Sequence, residues 1–212
     1  MAWRLWILSL LSILVVAGCR GEARPEVVIN GTPLSARPYQ GAILAEPWPK
    51  PDFVLTDTAG RPFDFRKETE GYVTLLYFGY THCPDICPAH MANIASALRK
   101  MSEKERSQVK VIMVTVDPER DTPQRLREWL DLFDRSFIGL WGSLDQINET
   151  GRKTMGERWS PPVKEFYQDT YYVNHMAFVV AYGKDNMARV IYPFGVSVQA
   201  YLYDLKKMVG GE

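Results

Sequence analysis

The chain is poor in cysteine and histidine and has no concentrated charge. Of its 212 residues three are Cys and three are His, and 25 Lys and Arg balance 25 Asp and Glu to a formal net charge of zero. No run of Lys and Arg is long enough to neutralise a phosphate backbone or an anionic membrane surface, which argues against nucleic acid as a partner. Nothing is low in complexity or internally repeated, so a repeat architecture is excluded. No apolar run reaches the about twenty residues needed to cross a bilayer core. The N-terminal run LWILSLLSILVVAG is short of that. What remains, 46% apolar and 24% charged residues, suits one compact domain with a real core, and the 14 prolines act as punctuation at segment edges.

The N-terminal run follows MAWR, with a single positive charge, and has the length of a secretory h-region. It closes on Val16-Ala17-Gly18-Cys19, which resembles the bacterial lipobox, where cleavage precedes a cysteine that is then lipidated. The expected organisation is therefore a signal peptide over 1–18, a polar, Pro-rich tether over 19–50, and a folded domain over 51–212. That domain is held to the membrane by lipid on Cys19 and lies on the extracytoplasmic, periplasmic side. Cys83 and Cys87 are then the only thiols left. In an oxidising compartment such a pair closes to a disulfide unless a reductant or a metal intervenes.

The scaffold around the pair is legible in outline. PDFVLTDTAGRPFDF reads as a β-hairpin turning at Asp57 to Gly60. VTLLYFGY, eight apolar residues, has the pattern of a strand buried on both faces. AHMANIASALRKM carries Met91, Ile94, Ala95 and Leu98 on one helical face, and VKVIMVTVD is a second buried strand. Asp121-Thr122-Pro123 signals the start of an amphipathic helix, and GSLDQINETGRKTM reads as another. AFVVAYGKDNMARVIYPF is a hairpin turning at Asp185-Asn186, and VQAYLYDLKKMV is a closing helix. This alternation implies an α/β fold with a parallel sheet core, in thioredoxin-like order with an N-terminal β-hairpin extension.

GYTHCPDICP thus sits where the first central strand hands over to its helix. Pro84 and Pro88 cannot both lie inside one regular helix, so the helix is expected to start near Pro88 with Cys87 near its cap and Cys83 in the turn before it. The helix dipole and free N–H groups there favour a thiolate, which can attack a disulfide or bind a soft metal. Of the other candidates, Asp85 can cap the helix or tune the thiolates, and Asp117 ends a strand at the same edge or serves turn chemistry. His82 reads as structural or as a support beside the site, and His90 as a solvent-facing helix residue. Trp129, Trp141 and Trp159 read as core.

FGYTHCPDICP, TVDPERDTP at 115–123 and YYVNHMAFVV at 171–180 together resemble the Sco/SenC family, from about Pro51 to the C-terminus. These are thioredoxin-fold copper proteins that help assemble cytochrome c oxidase. The resemblance implies that Cys83, Cys87 and His175 bind one copper ion, Cu(I) or Cu(II), received from an upstream copper donor. It also implies delivery to the binuclear copper site of a cytochrome c oxidase subunit. Two sulfurs and one imidazole suit either oxidation state. Where the family usually reads Asp-His-Ser, this chain has Asn174 and Met176, which makes Asn174 the expected partner of the ligand imidazole. The alternative is a thiol–disulfide oxidoreductase using Cys83 and Cys87 to reduce the copper-ligand cysteines of the same subunit. A third reading, a thiol peroxidase suggested by Thr81-His82-Cys83, lacks an assignable Arg.

Overall fold

The structure, a computed structural model, describes residues 28–29, 32–33 and 37–211. The expected signal peptide over 1–18 and the lipidation candidate Cys19 lie outside the described residues. The chain divides at residue 37 into two units. In the first, β1 (Val28–Ile29) pairs antiparallel with β2 (Thr32–Pro33). The second holds all the remaining elements.

The centre of the second unit is β6 (Val73–Gly79), buried along its whole length. A strand with no polar face belongs in the middle of a sheet covered on both sides. It is flanked on one side by the parallel β7 (Val109–Thr115), which in turn pairs parallel with β8 (Ile138–Trp141). Beyond β8, the hairpin of β4 (Val54–Asp57) and β5 (Pro62–Asp64) extends the sheet, as expected. A second hairpin, β9 (Val163–Tyr167) with β10 (Thr170–Asn174), stands apart as its own two-stranded sheet. On the other side of β6 lies β11 (Phe178–Tyr182), antiparallel to it, and then β12 (Met187–Pro193), antiparallel to β11, the two joined by a turn at Asn186, whose φ is 62°. Eight strands and flanking helices make the α/β, thioredoxin-like fold that the alternation implies.

The outermost strand on that side corrects the expected tether. Ala42–Pro49 forms β3, paired antiparallel with β12. Its residues are mostly exposed and it carries Pro47 and Pro49, which an edge strand tolerates because one side of its backbone has no partner. Lys50, at its end, is 1% exposed, and its Nζ donates to the Thr69 carbonyl at 2.9 Å and the Thr74 hydroxyl at 3.2 Å.

Helix starts follow local chemistry. A short α1 (Phe65–Glu68) is capped by Asp64. α2 (Ile86–Leu98) follows β6 and buries Met91, Ile94, Ala95 and Leu98, as the spacing implies. A capping box of Ser102 and Glu105 opens α3 (Glu103–Arg106). Thr122 caps α4 (Pro123–Asp131), with Pro123 in the first position, where its missing N–H costs nothing. Ser143 and Gln146 form a capping box on α5 (Leu144–Met155), and Ser197 caps α6 (Val198–Gly210), which packs along α2. Alternate residues of β6 face different partners. Tyr77 faces α2, whereas Phe78 meets Trp159 at a tilt, with ring centroids 4.9 Å apart, and the Trp159 ring lies against Gly151 of α5.

Candidate metal centre

α2 starts two residues earlier than expected. Asp85 is its N-cap, accepting the Ile86 N–H at 2.6 Å, so Cys87 is the second helical residue and Pro88 the third. Pro88 fits inside the helix because the first N–H groups of a helix have no intrahelical acceptor to lose. Asp85 is thus a cap, and its carboxylate also lies 4.0 Å from Cys83 Sγ.

The turn from β6 to α2 is held from below by Asp121, fully buried. It accepts the Thr81 N–H at 2.9 Å, the Thr81 hydroxyl at 2.6 Å and the Thr115 hydroxyl at 2.7 Å. His82 lies 3.4 Å from the same carboxylate, with its side chain 39% exposed, and is structural as expected. Sequence reasoning took Asp121 only as part of a helix start. The paired threonines at the ends of β6 and β7 were the available sign of a buried acceptor.

Cys83 and Cys87 are both free thiols, and with His175 they form a cluster whose ligand atoms all lie within 4.8 Å of one another. Cys87 Sγ is 3.7 Å from His175 Nε2, and the Cys87 N–H points at Cys83 Sγ at 3.4 Å. His175 Nδ1 lies 3.0 Å from the Met176 carbonyl. A carbonyl only accepts, so Nδ1 carries the proton and Nε2 presents its lone pair to the sulfurs. Tyr77 and Tyr80 stand edge-on to this ring, at 6.1 and 5.5 Å between centroids.

The two thiols are electrostatically opposite. Cys83, 9% exposed, is held down to about 3, first by the hydrogen bond from the Cys87 thiol and then by the backbone N–H groups of Cys87 and Asp85. Burial pushes Cys87 well up, and the neighbouring Cys83 sulfur adds to it. The helix N-terminus therefore favours a thiolate as expected, but on Cys83 rather than on the Cys87 it contains. Tyr77, buried, donates its hydroxyl to Cys87 Sγ at 3.2 Å. Its approach depends on Gly79. A Cβ there would collide with the Tyr77 ring and sit 3.1 Å from Cys87 Sγ.

The remaining expected residues fall elsewhere. Asn174 does not pair with the imidazole. It is exposed and its amide reaches Glu165 at 3.4 Å, because alternation along β10 turns it away from buried Val173. Asp117 touches no ligand either. Buried, it binds Arg120 Nε at 2.5 Å and accepts the Tyr171 hydroxyl at 2.9 Å, while Arg120 donates to the Tyr171 carbonyl at 3.0 Å. It fixes the hairpin that leads to His175. His90, expected at the surface, is 3% exposed. Its ring nitrogens face the Tyr201 hydroxyl at 3.1 Å and the Ala177 carbonyl at 3.3 Å. Trp129 and Trp159 are buried, while Trp141 is half-buried and donates to the Pro118 carbonyl.

A cleft of about 190 Å³, lined by Tyr80, Cys83, Pro84, Tyr172, Asn174 and His175 among others, opens onto the cluster. A larger hollow of about 670 Å³ beside Tyr72, Arg99 and Lys110 contains no Cys or His. Among the described residues the other group spaced to hold a metal is His82, Asp117 and Asp121. There both carboxylates are already engaged, by Arg120 and Tyr171 and by the two threonines.

The SCO1/SenC family model matches residues 45–210. The mitochondrial protein SCO2 of Saccharomyces cerevisiae is 34% identical over 142 residues, spanning 67% of this chain and 45% of that protein. The mitochondrial SCO2 homolog of Mus musculus is 31% identical over 162 residues, 74% of this chain and 61% of that one. The match thus takes in less than two thirds of either relative. Among solved structures, ScoI of Bradyrhizobium japonicum with copper bound is 32% identical with a TM-score of 0.64, covering 79% of this chain and 99% of that one. The apo Sco1 of Thermus thermophilus is 30% identical with a TM-score of 0.69, covering 81% and 98%.

Proposed function

The chain belongs to the SCO1/SenC family, and from that premise we propose that it carries one copper ion on Cys83, Cys87 and His175 and delivers it to the binuclear copper site of cytochrome c oxidase. The observation that carries this reading is the convergence of two sulfurs and a lone-pair nitrogen within 4.8 Å. Thiolates suit Cu(I) and imidazole suits either oxidation state, so the set fits the ion. The copper-bound relative supports the same cargo. Cys83 arrives already ionised, which spares the metal from displacing a proton there. Three ligands leave room for an incoming thiolate, so transfer runs by ligand exchange through the cleft. The test is metal analysis of the reduced protein with and without His175→Ala. One copper per chain in the wild type and a weaker complex in the variant support the reading; equal binding by both removes the nitrogen ligand.

A second reading rests on the unequal thiols. An ionised rim sulfur beside a buried protonated one suits a reductase. Cys83 attacks a partner disulfide, forming a mixed disulfide and releasing one partner thiolate. Cys87, losing its proton, then displaces the second and closes the Cys83–Cys87 bridge. Such turnover proceeds without copper and survives His175→Ala. In either role the domain is placed outside the cytoplasm by lipid on Cys19. A Cys19→Ser variant that stays in the membrane fraction would refute that anchor.

A further inference from the structure

We propose that His90 is a positioning residue for the metal centre, clamping the segment that carries His175 to the thiol-bearing helix; the inference rests on His175 being a ligand. His90 lies one turn after Cys87, so the two share a face of α2. Its Nε2 faces the Ala177 carbonyl and its Nδ1 the Tyr201 hydroxyl on α6. The carbonyl only accepts, so Nε2 carries the proton and the bare Nδ1 accepts from Tyr201. Burial raises Tyr201 and lowers His90, keeping the phenol protonated and the ring neutral, as this arrangement requires.

The segment needs such a tie. Residues 175–177 link the end of β10 at Asn174 to the start of β11 at Phe178, and neither strand ladder includes them. The bond from His175 Nδ1 goes to Met176, inside the same tripeptide. It sets the ring against its own backbone but not against α2. The His90 bond supplies that second reference, two residues from the ligand, and connects the nitrogen ligand to the helix holding Cys87. Holding the ligand in place before metal arrives removes an ordering cost from capture.

The experiment is a competitive Cu(I) titration of the reduced protein and its His175→Ala, His90→Phe, His90→Gln and His90→Phe/His175→Ala variants. Amide hydrogen exchange of the copper-free forms is measured alongside. Phe keeps an aromatic ring and burial but neither bond, whereas the Gln amide can donate to Ala177 and accept from Tyr201. The clamp predicts an affinity loss of about 10–100-fold in His90→Phe, the range for outer partners of metal ligands. It also predicts recovery in His90→Gln, a double variant no weaker than His175→Ala, and faster exchange at residues 176–178 in His90→Phe. Wild-type affinity in His90→Phe beside a defective His175→Ala, or losses that add in the double variant, overturn the clamp alone. An unaffected His175→Ala refutes the ligand set and the inference with it. If Phe at 90 prevents folding, His90→Leu, which likewise removes the bond to Ala177, takes its place, and unchanged exchange at 176–178 overturns the proposal.

Discussion

Alkylation of the reduced, copper-free protein across a pH series tests the unequal thiols directly. An ordinary cysteine with a pKa of 9.0 is ionised at pH 5 to only about one part in 10⁴, whereas Cys83, held down to about 3, is almost wholly thiolate. Acidity has a cost in reactivity: with a Brønsted slope of about 0.4–0.5, a thiolate this weakly basic is slower by about 2.5 to 3 powers of ten. The two effects leave Cys83 about 10–30-fold faster than an unfolded reference thiol at pH 5. They cancel between about pH 6 and 6.5, and at pH 8 the order reverses. The assay is iodoacetamide labelling read by peptide mass spectrometry, with the protein in urea as reference. Cys83 should react at a nearly constant rate from pH 5 to 8 while buried Cys87 lags. A Cys83 rate that climbs tenfold per pH unit, or Cys87 labelled first, refutes the assignment of the thiolate.

Replacing Gly79 by Ala should destabilise the fold by about 1–3 kcal/mol through overpacking and weaken copper binding, because the Tyr77 ring and Cys87 sulfur must both move; melting and titration read the two effects. Asn174→Asp should leave copper affinity within about twofold, since the side chain faces Glu165 rather than His175, and a large gain would mean that it reaches the imidazole. Lys50 is lowered to about 8, mainly by burial. Its folded value lies below the unfolded one, so the unfolded chain binds the proton more tightly and stability climbs as pH rises from about 8 to 10.5. Lys50→Met should therefore be more stable at pH 7, by about 1–3 kcal/mol, with the difference shrinking by pH 10.5 in denaturant melts. A variant no more stable at pH 7 would show that the hydrogen bonds to Thr69 and Thr74 outweigh the buried charge.

Elements with one strong period were legible from the sequence. The apolar run of β6, the stripe of α2 and the Thr122-Pro123 start of α4 all stand where residue chemistry put them. β3 was not, because an edge strand has no buried face to write an alternation, and Glu46, Pro47 and Pro49 read as tether. The β9–β10 hairpin hid for a related reason. Phe166 and Tyr167 are exposed, and the turn uses Gln168 at a φ of 51° in place of a glycine. At the site, the three candidate ligands were readable only with the family resemblance, since spacing left the paired cysteines open to a bridge, a redox couple or a metal. What the sequence could not convey was which carbonyl or hydroxyl each side chain meets. His90 shows this best: its place between Cys87 and Ile94 on the helix stripe already put it inside, yet a histidine one turn into a helix looks like surface.

Because Cys87 is sealed beneath Tyr77 while Cys83 and His175 border the opening, a visiting protein can meet a soft ion seated here only from the rim. If the proposed copper is carried here, the outer bonds would be exchanged first and the inner sulfur would let go last. Departure would then have a direction, with the cation holding at least one attachment on its way out.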